Sequence, residues 1–368
     1  MTDTRPRGHS DAKPNETGDQ PTAAGPRIPA SEMAGLIALA ARAPSLHNSQ
    51  PWRFRIGRSA VELRADPDRQ LWQTDPDGRE MLISCGAALY GLRLGLRRLG
   101  FQPVTEMLPD PAQPALIARV RPGQRERPGR DEWDMIAAVP HRHTHRSPFG
   151  PGQVPERLLD DLVHDAAAEG ADLILLSRVS QIHGLARLTA DASRAQRATW
   201  GTGAEARRWA RLAGSTARDG VPARARTGSE RWPASGRRQE EPAHERLPRR
   251  DFGRPGDLPV GGPLPSATAV LTTTGDEPAD WLRAGQALHR LLLRAADRWV
   301  FASLQSQPLE SPGLRAAIRD YLGLPGSPQM LLQFGRASTA AATPRRPVAE
   351  IIDHGTIDCG QPASGQRP

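Results

Sequence analysis

The chain has few of the residues that mark several common classes of protein. Only two of its 368 residues are cysteines, Cys85 and Cys359, and their wide separation argues against a disulfide framework and fits a reducing cytoplasm. No apolar run approaches the roughly 20 residues that a membrane span needs. The segment 1–27 is polar and lacks the apolar core of a signal peptide. These shortages predict a cytoplasmic protein with no membrane partner.

Aromatic residues are also scarce, at 4% of the chain, although the formal net charge is +8. Nearly all of the positive charge is arginine, with Lys13 as the one lysine, and the arginines are spread along the sequence. A nucleic-acid interface needs a clustered basic face with interleaved aromatic residues. We therefore expect no nucleic-acid partner.

The length exceeds what one compact core usually supports, so two domains or one fused pair are expected. One internal stretch is dense in Arg, Pro, Gly and Ser, and a segment of that length without periodicity is typically a lid or a disordered insert. The expected division is a disordered leader over 1–27, a first half over 28–140, a second half over 141–354 containing the insert 213–263, and a flexible tail over 355–368.

Hydrophobic periodicity predicts both helices and strands along the chain. Helices are expected at 29–42, 83–99, 132–139, 155–169, 281–300 and 314–321. Strands are expected at 52–56, 61–65, 115–120, 172–179, 267–273 and 330–334. Ser31 is the expected N-cap of the first helix, and Pro44 is expected to stop it.

Two of the predicted helices resemble each other in sequence. Gly86-Ala-Ala-Leu89 corresponds to Gly285-Gln-Ala-Leu288, and the flanking leucines keep the same offset of 199 residues. Chance similarity between two core helices explains this pattern. Close helix packing about a pseudo-twofold axis explains it as well, because small residues are needed where two backbones approach.

The segment between the first predicted helix and strand is rich in neutral hydrogen-bonding groups. Pro44 and Pro51 restrict its backbone, while Ser45, Asn48 and Gln50 offer hydroxyl and amide groups that can read the edge of a heteroaromatic ring. A plain helix stop would have a similar composition.

The spacing Pro-Ser-x-x-Asn-x-Gln-Pro-Trp resembles the signature loop of the FMN-dependent nitroreductase family. In that family the loop contacts the flavin from across a dimer interface. Leu46 stands where many relatives have a second small polar residue, which implies that one flavin contact is missing. The resemblance rests on Pro44, Ser45, Asn48, Gln50, Pro51 and Trp52.

A second candidate site lies in the extended segment 140–148. Alternate residues of an extended chain share a face, so Arg142, Thr144 and Arg146 line up as two guanidiniums and a hydroxyl that suit a phosphate. Metal binding is the competing interpretation, but no Cys or acidic residue stands at ligand spacing. We expect ordinary surface histidines rather than zinc ligands at the alternate positions His141, His143 and His145.

This segment is similar to the Arg-x-Ser-x-Arg element with which nitroreductases hold the FMN phosphate and the pyrimidine side of the flavin. Thr144 takes the place of the serine. The resemblance implies that Arg146 lies near N1 and O2 of the flavin, where negative charge develops on reduction.

A third candidate lies near the C-terminus. The sequence around Arg345 and Arg346 predicts an exposed basic turn, whereas the nitroreductase pattern implies that both arginines close over the FMN phosphate. The same pattern implies that the segment after the long helix, with Gln307 and Pro308, passes the N5 edge of the flavin. The usual glycine after that helix is replaced by Trp299.

Only the first half has the signature loop, and only the second half has the two arginine elements. The chain is therefore similar to the single-chain, Acg-like branch of the family, whose monomers imitate a nitroreductase dimer. This implies an α+β, nitroreductase-like fold of two degenerate half-repeats that form a pseudo-dimer, with central mixed sheets flanked by helices and one FMN. A monomer or a weak homodimer is expected, and the insert 213–263 would cover the flavin.

The resemblance implies hydride transfer from NAD(P)H through FMN to a nitroaromatic, a quinone or a similar small acceptor. The flavin carries that chemistry, so no side chain is predicted to be catalytic. A protein that sequesters or senses FMN with little turnover is the alternative.

Overall fold

The computed structural model describes Met1 and residues 28–57, 59–146, 149–198, 200–223, 267–337 and 342–353. The first half contains α1 (Ala30–Ala40), β1 (Trp52–Ile56), β2 (Val61–Ala65), α2 (Arg79–Arg98), β3 (Phe101–Met107), β4 (Leu116–Arg125) and α3 (Arg130–Ala138). The second half contains α4 (Glu156–Ala168), β5 (Asp172–Leu176), α5 (Val179–Ala198), α6 (Trp200–Trp209), β6 (Ala267–Thr273), α7 (Pro278–Asp297), β7 (Val300–Gln305), α8 (Pro312–Leu322), β8 (Ser327–Arg336), α9 (Val348–Ile351) and β9 (Ile352–Asp353). The predicted α+β class is confirmed.

The strands form two sheets with the same internal order. The first sheet runs β3-β4-β2-β1-β9 and the second runs β5-β6-β8-β7. Each half begins with a helix, two strands, a helix and two strands, apart from α5 and α6 after β5 and α8 between β7 and β8. Reading the second sheet backwards gives β7-β8-β6-β5, so its strands follow the order of β3-β4-β2-β1. The two halves therefore repeat one topology.

Each sheet is extended by a segment from elsewhere in the chain. Strand β9 pairs in parallel with β1, with Phe54 opposite Ile352. On the second sheet, Thr144 forms a parallel bridge to Ala302 of β7, and the backbone N–H of His145 donates to the Ala302 carbonyl at 2.9 Å. These crossings bring residues distant in sequence to the same region.

Helices α2 and α7 pack backbone to backbone between the two sheets. A Cβ atom on Gly86 would lie 2.3 Å from the carbonyl oxygen of Leu282, and one on Gly285 would lie 2.0 Å from that of Ile83. Ile83 and Leu282 are themselves 199 positions apart, so the contact is reciprocal. Only glycine permits such an approach.

The hydrophobic cores interlock at the same place. One core joins α1 and α2 to the first sheet and includes Leu282 of α7, while the other joins α4 and α7 to the second sheet and includes Ile83 of α2. Full burial of such a side chain contributes about 1.5–3 kcal/mol. Each half therefore completes its core with a residue of the other.

Several predicted boundaries were wrong. The first helix begins after Pro29, so Ser31 is not its N-cap. The long helix predicted to reach residue 300 ends at Asp297, because Trp299 adopts a left-handed φ of 56° before β7 begins. Strand β3 was not predicted at all.

Helix α2 begins at Arg79, earlier than expected, because the Asp75 carboxylate accepts the backbone N–H groups of Glu80 and Met81 at 3.0 and 2.8 Å. None of the helices in the described part of the chain has the length and apolarity needed to cross a bilayer.

Candidate functional site

The loop between α1 and β1 has an unusual backbone. His47, Asn48 and Gln50 adopt φ angles of 51°, 57° and 53°, in the left-handed region that non-glycine residues rarely visit. Each such residue costs on the order of 1–3 kcal/mol and persists only where its surroundings hold it. The loop is also fastened locally, because Leu46 N–H donates to Ser84 Oγ at 3.3 Å and Gln50 N–H donates to Ser45 Oγ at 3.0 Å.

The Asn48 side chain links three parts of the chain. Its Nδ2 donates to the carbonyls of Gly220 and Pro344 at 3.0 and 3.1 Å, and its Oδ1 accepts Arg345 Nη1 at 2.9 Å. Both amide hydrogens therefore bond to the protein itself, although the family resemblance implied a flavin contact.

Gln50 acts in the same way. Its Nε2 donates to the Arg218 carbonyl at 2.9 Å, and its Oε1 accepts the backbone N–H of Arg346 at 2.8 Å. The loop thus holds the start of the predicted insert on one side and the segment 342–347 on the other. Residues 224–263 of that insert lie outside the described part of the chain.

Arginines from the second half converge on the C-terminal end of α1. Arg142 Nη2 donates to the Arg42 carbonyl at 2.9 Å, and Arg345 donates to the carbonyls of Ala41, Arg42 and Ala43 at 2.9, 3.2 and 3.1 Å. These carbonyls have no partner within the helix and carry partial negative charge. Because Ser45 follows directly, the front-half loop and the back-half arginines occupy one region.

The charges in this region are unbalanced. We define the arginine cluster as Arg42, Arg142, Arg146 and Arg345. Burial and the neighbouring guanidiniums lower the pKa of Arg142 to about 9 and that of Arg345 well below its ordinary value. Burial lowers the pKa of Arg146 to about 10. All the charges that shift the pKa of Arg142 and Arg345 are positive, so an anion among these guanidiniums would be stabilised.

Arg142 has more hydrogen-bond donors than the described residues use. The residue is 5% exposed, and its Nε and Nη1 have no hydrogen-bond partner among the described residues. Buried donors left without partners cost about 1–3 kcal/mol, and more when they are charged. A phosphate satisfies such donors because a guanidinium fork matches its oxygens.

Thr144 and Arg146 continue from Arg142 along the edge of β7. Arg146 Nη1 lies 3.4 Å from the Thr144 carbonyl oxygen, and both residues are half-buried. The segment predicted to follow the long helix as a loop is strand β7, and Gln307 and Pro308 form a buried turn directly after it.

Arg79 at the start of α2 holds that turn, donating to the Leu309 carbonyl at 3.3 Å and to the Gln329 carbonyl at 3.1 Å. Five residues along α2, Ser84 holds Leu46. The turn and the signature loop therefore both contact the first half of one helix.

Arg346 differs from its neighbour Arg345. Its Nη1 lies 3.7 Å from Asp66 Oδ2, and its Nε lies 3.9 Å from Glu350 Oε2. Arg345 joins the arginine cluster, whereas Arg346 faces carboxylates.

The histidines of the second candidate site are not all at the surface, contrary to expectation. His143 and His145 are buried and stack on Phe301 and Phe149 at ring distances of 4.5 and 4.7 Å, and only His141 is exposed. Burial and the Arg142 charge lower the pKa of His143 to about 3. Across the described ranges, no group of three or more His, Cys, Asp or Glu residues is arranged to hold a metal ion.

Sequence reasoning missed His289, a fully buried residue of α7. Its Nδ1 lies 2.6 Å from the Ala87 carbonyl oxygen, which can only accept, so Nδ1 carries the proton. Its Cε1 approaches Gly91, which packs against Ala40 at the end of α1. Burial together with the Arg142 and Arg345 charges lowers its pKa to about 3. The one feature of the sequence that could have indicated this buried position was that His289 comes four residues after Gly285.

The chain has close relatives in sequence. A Mycobacterium tuberculosis H37Rv protein with the provisional name NAD(P)H nitroreductase Rv3131 is 33% identical over 348 residues, covering 91% of this chain and 95% of the relative. The provisionally named NAD(P)H nitroreductase Acg of the same strain is 28% identical over 327 residues, covering 86% of this chain and 93% of Acg. No protein-family model matches the chain.

Similar solved structures include an FMN-bound nitroreductase from Desulfitobacterium hafniense, with a TM-score of 0.38 and 11% identity over 60% of this chain and 98% of that one. The FMN- and NADPH-dependent nitroreductase NfnB of a Sphingopyxis strain also has a TM-score of 0.38, with 14% identity over 60% of this chain and 97% of that one. Membership therefore rests on the sequence relatives, which extend over nearly the whole chain. The chain belongs to the nitroreductase family, with relatives that include Acg.

Proposed function

We propose that this chain binds one FMN and uses it to pass a hydride from NAD(P)H to a small acceptor such as a nitroaromatic or a quinone. The observation that carries this proposal is Arg142, a buried guanidinium with unpaired donors inside the arginine cluster and next to the signature loop. Family membership supports the oxidoreductase class.

The residues of the cluster fit a phosphorylated cofactor. Arg142 offers Nε and Nη1, and Arg146 adds a second, half-buried cation. Ser45 Oγ accepts one backbone N–H and keeps its own proton to donate, while Thr144 adds a further hydroxyl. We propose that these four residues hold the cofactor together with the predicted loop residues Pro44 and Leu46, the turn residues Gln307 and Pro308, and Arg346. Asn48 and Arg345 bond to the protein itself, so we propose that they act on the site by holding the loop.

The bound FMN supplies the hydride chemistry, and the protein supplies binding, charge and access. Arg146 would place positive charge beside the pyrimidine side of the ring. Arg345 holds the end of α1, and Asn48 holds the loop around it. No acid or base is needed from a side chain, so we assign no catalytic residue.

We further propose that the chain is a pseudo-dimer with one site. The repeated strand order and the reciprocal glycine contact support two half-repeats. Eleven residues, 41–51, join α1 to β1, but only three, 169–171, join α4 to β5. The second half has no room for a signature loop, which supports one FMN per chain and a monomer that imitates a dimer.

A protein that sequesters or senses FMN is the second candidate. The side chains of Asn48 and Gln50 bond to residues 218–220 and 344–346, which closes the loop against neighbouring segments. Such closure favours retention of a cofactor over rapid exchange with substrates. We propose that the predicted insert covers the flavin from its described start at residues 213–223 in either case.

Two measurements on the purified chain test these proposals. Flavin absorbance and phosphate analysis should give one FMN per chain, and failure to take up FMN would rule out both functions. Anaerobic mixing with NADH or NADPH should then bleach the visible flavin band rapidly. An unbleached flavin at high nucleotide concentration would exclude the reductase and leave the binding protein.

A further inference from the structure

The first residues of the predicted insert form an ordered turn against the site. Asp219 accepts Arg69 Nη2 and Nη1 at 2.6 and 3.1 Å, and its other carboxylate oxygen accepts Arg211. The Asp219 side chain is 18% exposed. Paired guanidiniums on both carboxylate oxygens make a strong, charge-assisted contact. We call Arg69, Arg211 and Asp219 the carboxylate clamp.

The clamp has a rigid base. The ring of Trp209 is buried, with the guanidinium carbons of Arg69 and Arg211 at 5.6 and 5.7 Å from its centre. Gly220 has a φ of 71°, and a Cβ there would lie 2.6 Å from the Trp209 carbonyl oxygen. The turn therefore depends on glycine at this position.

The turn contacts the strained part of the signature loop. Gly220 N–H donates to the Asn48 carbonyl at 3.2 Å, and Asn48 Nδ2 donates back to the Gly220 carbonyl at 3.0 Å. Gln50 Nε2 donates to the Arg218 carbonyl at 2.9 Å. Asn48 and Gln50 are two of the left-handed residues, so these bonds select the conformation that is costly for the loop alone.

We propose that Asp219 is a positioning residue for the cofactor site. The clamp holds the turn, the turn holds the loop in its left-handed conformation, and the loop presents Ser45 beside the arginine cluster. Asp219 thus controls cofactor affinity without contacting the cofactor. The part of this inference that concerns affinity rests on the proposed binding of FMN.

The test compares Asp219→Asn with a matched control. Glu132 accepts Arg97 Nε and Nη2 at 2.6 and 2.9 Å in another two-bond, half-buried pair, and it lies outside the site. In Asp219→Asn the dissociation constant for FMN should rise about tenfold, as expected when one charge-assisted contact is lost. Glu132→Gln should leave it unchanged, and Asp219→Glu should restore most of the affinity.

Hydrogen–deuterium exchange of the FMN-free protein tests the clamp independently of the cofactor. The backbone amides of residues 45–50 should exchange faster in Asp219→Asn and at the wild-type rate in Glu132→Gln. Equal exchange and equal FMN affinity in the two variants would overturn the proposal. If the wild-type chain takes up no FMN, the proposed function fails, while faster loop exchange in Asp219→Asn would still support the clamp.

Discussion

A Cβ atom built on Gly285 would lie 2.9 Å from the Cα atom of Gly86, so the two central helices touch through their backbones. Gly285→Ala should destabilise the fold by about 1–3 kcal/mol, because the added methyl group forces α2 and α7 apart. This loss should exceed the gain of about 1 kcal/mol that alanine brings to a helix. Urea unfolding measures the difference.

Gly35→Ala is the matched control, because Gly35 is an exposed glycine of α1 whose Cβ would meet only the flexible end of Arg98 at 3.4 Å. It should be neutral or stabilising. Equal effects of the two substitutions would mean that the helices are not in close contact.

Arg142→Ala should separate stability from binding. Removing a buried cation that other cations repel should leave the FMN-free protein at least as stable as wild type. FMN affinity should fall at least tenfold, since a charge-assisted bond contributes about 1.5–3 kcal/mol. Thermal unfolding and flavin titration give the two quantities.

Arg346→Ala alone should weaken FMN binding less, because Arg346 faces Asp66 and Glu350. Combined with Arg142→Ala it should release the cofactor. A yellow protein after purification of the double variant would show that the phosphate is bound elsewhere.

Stability should fall with acidity between about pH 6.5 and pH 3. His143 and His289 stay neutral in the folded chain until about pH 3, whereas an unfolded histidine takes up its proton near pH 6.5. The unfolded state therefore binds more protons in this range, which favours unfolding as the pH falls. Each tenfold difference in proton affinity corresponds to about 1.4 kcal/mol.

His289→Gln should reduce this dependence, since glutamine can still donate to the Ala87 carbonyl but does not titrate. Urea midpoints measured from pH 8 to pH 4 provide the comparison. A variant with the same pH slope as wild type would show that His289 is not a source of the acid sensitivity.

Asp165 is the anchor between α4 and α7. It is fully buried and accepts Arg290 Nε at 2.8 Å and Arg294 Nε at 2.7 Å. At the offset of 199, these arginines stand where α2 has Gly91 and Gly95. Asp165→Asn should cost about 1.5–3 kcal/mol, because both guanidiniums lose their buried counter-charge. Each keeps its second carboxylate, Glu169 for Arg290 and Asp131 for Arg294.

Asp191→Asn provides the comparison, because Asp191 pairs with Arg194 on an exposed surface of α5. Exposed pairs contribute little, so its urea midpoint should barely change. Similar losses for Asp165→Asn and Asp191→Asn would contradict the role given to burial.

Local sequence patterns located the fold elements that bury apolar residues between clear turns. Strands β1, β2 and β6 were predicted with correct bounds because their turns and apolar content are clear. Strand β3 was missed because its residues are mostly half-buried or exposed and include Pro103. Strand β7 was missed because its apolar start continues the pattern of α7, and Trp299 gives no glycine signal.

The site was predictable only in part. The sequence motifs predicted that Ser45 and Arg142 lie in the same region. In the structure, Arg142 donates to the Arg42 carbonyl at the end of α1, shortly before Ser45. The separate surroundings of Arg345 and Arg346 depend on where β9 and α1 lie, which local sequence does not encode. The bonds of Asn48 to residues 220 and 344 are likewise tertiary contacts across more than 170 positions.

The backbone contact between Gly86 and Gly285 has a consequence for how the protein behaves at low concentration. Subunits of an obligate dimer separate on dilution, and any ligand held between them is then lost. Here both helices belong to one polypeptide, so their association is independent of how many molecules are present. A cofactor held between the two halves would then leave on dilution only through its own dissociation equilibrium, and not through separation of the halves.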